Sequence, residues 1–327
     1  MRQLLWYFIA QQQALREQYV MSIALVITDR NPEKLQRLLQ AKLPDETIEV
    51  WPNIRKLEEV EYAVMWKQPS DIWQQLPALK VAQSLGAGVE HLVFDKNLPE
   101  NLVVSRIVDQ SLANQMAEYV LAVILMRQCR LDVFHQQQVN KHWKFQRRLQ
   151  GKRVTVLGVG EIGDVVARLL QQYGFEVVGW SRTTKTDKDY PCISGHQALT
   201  ERLSQTDYVI NLLPDTQETF QMIDQRFLSA CDSNTYLINV GRGRTVNETE
   251  LCKALTSEQI AGATLDVFCT EPLGESSPLW QVKNLQITPH IAAITDQGEI
   301  IEQVARNFMR MKAGQSVENR VDLTRGY

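Results

Sequence analysis

From Met21 the chain carries a compact apolar run, Ile23-Ala24-Leu25-Val26-Ile27-Thr28-Asp29, whose length and β-branched content predict a buried strand opening an α/β domain. Short apolar runs then alternate with helical patterns, as in a parallel sheet covered on both faces. Further strands are expected at Tyr62 to Trp66, Val81 to Ser84 and Val103 to Ser105. Leu112, Met116, Tyr119, Val120, Val123 and Ile124 fall at helical spacing, on one face of a helix suited to join two domains. A second series of strands is expected at Arg153 to Leu157, Glu176 to Trp180, Tyr208 to Leu212, Tyr236 to Val240, Gly262 to Asp266 and Leu285 to Thr288. Six strands with helical intervals make a complete doubly wound unit. A helical segment, Gly298 to Met311, precedes a short tail. The stretch before Met21 is polar and Gln-rich from Gln11 to Tyr19, so residues 1–20 are expected outside the fold.

Composition narrows the function classes. A length of 327 residues exceeds what one hydrophobic core usually supports. With 35 basic against 38 acidic residues and a formal charge of −3, no global attraction to nucleic acid or anionic membrane is expected, so a bound anion needs a local site. Arg147, Arg148, Lys152 and Arg153 have no interleaved aromatics and read as a solvated face. Cys129, Cys192, Cys231, Cys252 and Cys269 are odd in number and contain no CxxC pair, which points to a reduced cytoplasm with each thiol as a small buried hydrophobe. No run approaches the roughly 20 apolar residues of a membrane helix. No metal site is expected.

Between an expected strand and an expected helix stands Gly158-Val159-Gly160-Glu161-Ile162-Gly163. In that setting a GxGxxG segment makes a tight turn, brings backbone close to a pyrophosphate and leaves phosphate at the helix N-terminus. About 20 residues on, where an acidic side chain would bond the ribose hydroxyls of NAD, the chain has Ser181-Arg182-Thr183. Hydroxyls and a guanidinium fork suit a 2′-phosphate. NADPH is therefore the expected cofactor, with NADH the weaker alternative.

Three further segments each put a reactive side chain just after an expected strand: Arg242 in Val240-Gly241-Arg242-Gly243, Glu271 in Asp266 to Pro272, and His290 in Thr288-Pro289-His290. Together with Leu85-Gly86-Ala87-Gly88-Val89, the glycine motif, Asn211-Leu212-Leu213-Pro214 and the terminal Asp322 to Tyr327, they make the chain from about Met21 onward resemble the D-isomer-specific 2-hydroxyacid dehydrogenase family, in particular its glyoxylate/hydroxypyruvate reductase A group. The resemblance implies a Rossmann cofactor domain, residues 106–291, nested within a flavodoxin-like substrate domain made of residues 21–105 and 292–327. It also implies NADPH-dependent reduction of small 2-oxo acids such as glyoxylate and hydroxypyruvate. His290 would be the general acid, Glu271 would favour its imidazolium, and Arg242 would hold the substrate carboxylate and polarise the carbonyl. Backbone N–H groups of Ala87 and Gly88 would meet the substrate carboxylate. Trp66, at the end of an expected strand of the substrate domain, reads either as a pocket-lining residue or as a half-buried core Trp. Leu213 and Pro214 would lie at the cofactor, and the Val240 carbonyl and Asp266 would take its carboxamide.

Glu90, where many relatives have Asp, and Ala292-Ala293, where many are bulkier, depart from the family pattern and bear on pocket size. Trp143 lies in a region from which relatives project a Trp into a neighbouring subunit, so a homodimer is expected. Competing readings are a D-lactate-type or broad 2-ketoacid reductase, and a nicotinamide-sensing corepressor-like module on the same fold.

Overall fold

The computed structural model describes residues 21–324 and 326. The expected extension 1–20, and Arg325 and Tyr327 of the terminal motif, lie outside the described residues. The chain divides into two units, one ending at Asp109 and resuming at Thr295, the other running from Gln110 to Ile294. Residues 106–109 go with the first unit because they bond to its C-terminal part. Arg106 N–H donates to Asn319 O (3.1 Å), Val108 N–H to Gln303 Oε1 (3.1 Å), and Asp296 N–H to Asp109 Oδ2 (3.0 Å).

The first unit holds β1 (Ser22–Ile27), β2 (Thr47–Val50), β3 (Tyr62–Trp66), β4 (Val81–Ser84) and β5 (Val103–Ser105) in the order β2-β1-β3-β4-β5, every pair parallel. This is the flavodoxin-like order. All six residues of β1 are buried, as a strand covered on both faces requires. Sequence reading missed β2, of which only Ile48 is buried. Its edge is partly covered by side chains: Gln36 Nε2 donates to Ile48 O (2.8 Å) and Gln40 Nε2 to Glu46 O (2.9 Å), which satisfies carbonyls that an edge strand otherwise exposes.

The helix Gln297–Lys312 returns the chain's end to this sheet, burying Val304, Ala305 and Phe308 against Ile23, Leu25 and Tyr62. Its polar contacts fix the register. Gln303 Nε2 donates to Val108 O (2.7 Å), while Asn307 Nδ2 donates to Gln83 Oε1 (3.1 Å) and Ser105 Oγ (3.2 Å).

The second unit opens with the helix Gln110–Gln128, which buries Leu112, Met116, Val120, Val123 and Ile124 as the spacing predicts. Its sheet comprises β6 (Arg153–Leu157), β7 (Glu176–Ser181), β8 (Cys192–Ser194), β9 (Tyr208–Asn211), β10 (Tyr236–Asn239), β11 (Gly262–Leu265) and β12 (Leu285–Ile287). The order is β12-β11-β10-β9-β6-β7-β8, all parallel. It is a Rossmann sheet with a seventh strand, whose order reverses on either side of β6. The missed element is β8, a half-buried edge strand of three residues. No helix among the described residues is long and apolar enough to cross a membrane. All five cysteines are free, and none is fully buried, contrary to the expectation from residue type.

Candidate active site

In an open parallel sheet, ligands sit beyond the strand C-termini where the order reverses. Here that point is the end of β6. Its glycine loop leads into the helix Glu161–Gln172, whose N-cap is Gly160 and which no side chain caps. A Cβ on Gly163 would lie 1.9 Å from Gly158 O, so only glycine lets the helix approach the loop this closely. A Cβ on Gly160 would meet nothing within 4 Å. The loop thus offers open backbone at a helix N-terminus, which fits a dinucleotide pyrophosphate. Val159 is buried in the core, so it has only backbone to give a ligand, and Ile162 packs against the same core while Glu161 is exposed.

The neighbouring strand ends carry the remaining expected cofactor residues. Ser181 ends β7 and its Oγ donates to Thr183 O (2.7 Å), which shapes the turn. Arg182 is exposed and ion-paired with Glu218 (Nη1 to Oε2, 3.0 Å). Beyond β9, Leu213 is buried and Pro214 O accepts from Thr219 Oγ1 (2.6 Å). Val240 is buried after β10.

Arg242 follows, with its Nη1 donating to Gly241 O (2.7 Å). A Cβ on Gly243 would fall 1.9 Å from the Phe268 carbonyl carbon, so glycine there lets the Arg242 loop press against the loop after β11. In that second loop Glu271 Oε1 accepts the Phe268 N–H (2.9 Å) and Oε2 meets His290 Nδ1 at 2.7 Å. Burial pushes the Glu271 carboxyl up, but the His290 and Phe268 hydrogen bonds and the His290 and Arg242 charges outweigh it, and the net shift is downward. The bond to Glu271 raises His290 against partial burial, with the Glu271 charge adding to the rise and the Arg242 charge opposing it. Arg242 therefore acts electrostatically on both partners. With Nδ1 engaged, Nε2 is the nitrogen that can pass a proton onward.

His290 stands at φ +55°, a left-handed conformation that a β-carbon disfavours. A polar network holds it there. His290 N–H donates to Asp266 O (2.8 Å). The Asp266 side chain, in a residue 1% exposed, accepts Thr288 Oγ1 (2.5 Å), Ile291 N–H (2.9 Å) and Ala292 N–H (2.9 Å). Tyr119 Oη lies 2.6 Å from Thr288 Oγ1. Since the Thr288 hydroxyl gives its one proton to Asp266, Tyr119 must be the donor to Thr288. Both Asp266 carboxylate oxygens are thus engaged within the chain. Sequence reasoning gave Tyr119 no part in the site, because a tyrosine on an apolar helix face reads as core. Ala292 is itself buried in the core, so its small size serves packing.

The expected substrate residues lie in the first unit. Trp66 ends β3, its Nε1 donating to Asp29 Oδ2 (3.1 Å) and its ring centroid 4.7 Å from that of His91. The Arg30 hydrogen bond to Asp29 outweighs desolvation and, with the charges of Arg30 and Lys67 and the Trp66 hydrogen bond, lowers the Asp29 pKa. Ala87 and Gly88 follow β4, where Ser84 Oγ donates to Gly88 O (2.6 Å). Among the described residues no three His, Cys, Asp or Glu side chains are arranged to hold a metal ion.

Residues 121–292 match the family model of the D-isomer specific 2-hydroxyacid dehydrogenase NAD binding domain. The chain is 35% identical over 296 residues to glyoxylate/hydroxypyruvate reductase A of Yersinia enterocolitica, covering 88% of this chain and 94% of that protein. A D-isomer specific 2-hydroxyacid dehydrogenase from Xanthobacter autotrophicus Py2, solved in complex with NADPH and MES, is similar with TM-score 0.88 and 34% identity, over 94% of this chain and all (100%) of that one. The NADPH-dependent glyoxylate/hydroxypyruvate reductase SmGhrA of Sinorhizobium meliloti, in complex with NADP and sulfate, gives TM-score 0.86 at 29% identity, over 94% of this chain and 100% of that one. With the glycine loop at the sheet's switch point, the His290–Glu271 pair beside Arg242 and this agreement across both units, the chain belongs to the D-isomer specific 2-hydroxyacid dehydrogenase family.

Proposed function

We propose that the protein reduces small 2-oxo acids with NADPH, glyoxylate and hydroxypyruvate foremost, giving glycolate and D-glycerate. The observation that carries this reading is the 2.7 Å pairing of His290 with Glu271 under the influence of Arg242. NADPH, when bound, supplies hydride to the carbonyl carbon. His290 then donates the proton that the carbonyl oxygen needs as negative charge builds on it. Glu271 keeps His290 protonated and fixes its ring by holding Nδ1. Arg242 binds the substrate carboxylate and polarises the carbonyl. The Ala87 and Gly88 N–H groups as carboxylate donors rest on the family resemblance, as do the cofactor contacts of Leu213, Pro214, Val240 and Asp266, whereas Trp66 as a substrate residue rests on its place at the end of β3. Support for NADPH over NADH comes from Ser181, Arg182 and Thr183, with no carboxylate among them, and from the NADPH and NADP complexes of the relatives.

Loss of NADPH absorbance with glyoxylate, hydroxypyruvate and pyruvate tests the reading, and no oxidation with any of them would overturn it. His290→Ala should lower kcat by about two to four decades, the scale of a lost general acid. Arg242→Ala should raise KM as well as lower kcat.

We further propose a homodimer. The helix Leu131–Val139 buries none of its residues, and Leu131, Val139, Trp143 and Phe145 are all exposed. Such an apolar stretch on one segment suits a second copy of the chain. Monomeric light scattering at full activity would exclude it. Five unbridged cysteines support a reducing, cytoplasmic setting.

A further inference from the structure

The expected 2′-phosphate site contains a carboxylate that sequence reading did not mark. Glu218 Oε2 lies 3.0 Å from Arg182 Nη1. The two residues come from opposite sides of β6: Arg182 follows β7, and Glu218 lies in the turn after β9. That turn is built to hold its shape. Thr216 N–H donates to Thr219 Oγ1 (2.9 Å), Thr219 Oγ1 donates to Pro214 O (2.6 Å), and Phe220 N–H donates to Thr216 O (2.9 Å). Asp215, buried, is ion-paired with Arg244 at 3.2 Å. The backbone on both sides of Glu218 is therefore fixed, and only its side chain is free to move away from Arg182.

We propose that Glu218 is a specificity-determining residue for the cofactor, the counter-ion that Arg182 must leave in order to take a 2′-phosphate. The inference rests on the reading of Arg182 as the 2′-phosphate ligand. NADPH exchanges one ion pair for another and brings its phosphate dianion toward a carboxylate. NADH has no phosphate, so it leaves the Arg182–Glu218 pair in place and meets a guanidinium already neutralised. Glu218 thus narrows the gap between the two cofactors, and an Arg182 without it would discriminate more strongly. Both partners are exposed, so the effect is modest and screened by salt.

The test is calorimetric titration of the purified protein with NADPH and with NADH, for the wild type, Glu218→Gln and Arg182→Ala. No turnover is needed, and Glu218→Gln alters only an exposed side chain. Glu218→Gln is expected to bind NADPH about 2- to 5-fold more tightly while NADH changes by less than about 1.5-fold, the gain shrinking at high salt. Arg182→Ala is expected to lose most of the NADPH preference. If Glu218→Gln binds NADPH no more tightly while Arg182→Ala loses the preference, the inference falls and the 2′-phosphate assignment stands. If Arg182→Ala keeps the wild-type preference, the assignment falls and takes the inference with it.

Discussion

Thr288→Val is the most informative change in the second unit, because it removes one hydroxyl from the network under His290 and leaves the shape of the side chain. Thr288 Oγ1 donates to the Asp266 carboxylate at 2.5 Å and accepts from Tyr119 Oη at 2.6 Å. A hydrogen bond to a charged group contributes about 1.5–3 kcal/mol and a neutral one about 0.5–1.5 kcal/mol. Their sum bounds the loss at about 4.5 kcal/mol. Tyr119 and Thr288 are only partly buried, so water recovers part of it and about 2 kcal/mol remains. For a unit spanning Gln110–Ile294 that is a fall in Tm of about 4–8 °C, read by scanning calorimetry. The catalytic consequence follows from the backbone. Asp266 also holds the Ile291 and Ala292 N–H groups, and its carbonyl holds the His290 N–H. Loosening this carboxylate releases a residue kept at φ +55°, so kcat should fall about tenfold, since small misplacements of an acid are costly. Tyr119→Phe should reproduce part of both effects, and the double variant should lose less than the sum, as expected when two groups share one bond. A Thr288→Val protein with wild-type Tm and kcat would refute the reasoning.

Glu271→Gln should move the alkaline limb of kcat/KM to lower pH. Glu271 raises the His290 pKa, so the acid is protonated below that value and is lost as pH rises through it; an unmoved limb would separate Glu271 from the acid's pKa. The same pair should stabilise the fold only within a window, weakening as pH falls through the depressed Glu271 pKa and as pH rises through the elevated His290 pKa, which Tm measured against pH reads directly. Gly163→Ala places a Cβ 1.9 Å from Gly158 O, and should cost about 1–3 kcal/mol in stability and abolish dinucleotide binding by calorimetry. Asn307→Ala leaves the Gln83 and Ser105 side chains and the Glu318 N–H short of a buried partner, so the first unit should lose about 2–4 kcal/mol in urea denaturation.

What the chain shows before folding follows from where each signal comes from. Nine buried strands of the two sheets were legible as apolar runs because parallel strands need both faces dry, and β12, half-buried, was legible by its place in the series. β2 and β8 sit at sheet edges, bury little and carry no such run. The residues proposed to be catalytic were legible for a different reason. Arg242, Glu271 and His290 each follow a strand of the second sheet directly or within a short loop, and a parallel sheet puts all its strand ends on one side. Order along the chain therefore translates into proximity in space. No such rule reaches Tyr119 or Glu218. Tyr119 meets Thr288 across 169 positions of sequence, through a helix whose face looks purely apolar. Glu218 meets Arg182 because the strands before them flank β6 on opposite sides, a neighbour relation that exists only once the strand order β9-β6-β7 is fixed. Local motifs thus announce the groups proposed to touch cofactor and substrate. The groups that hold those side chains in place, or compete for them, are set by topology, and they are where members of one family with the same motifs can differ in cofactor choice and in the poise of the acid.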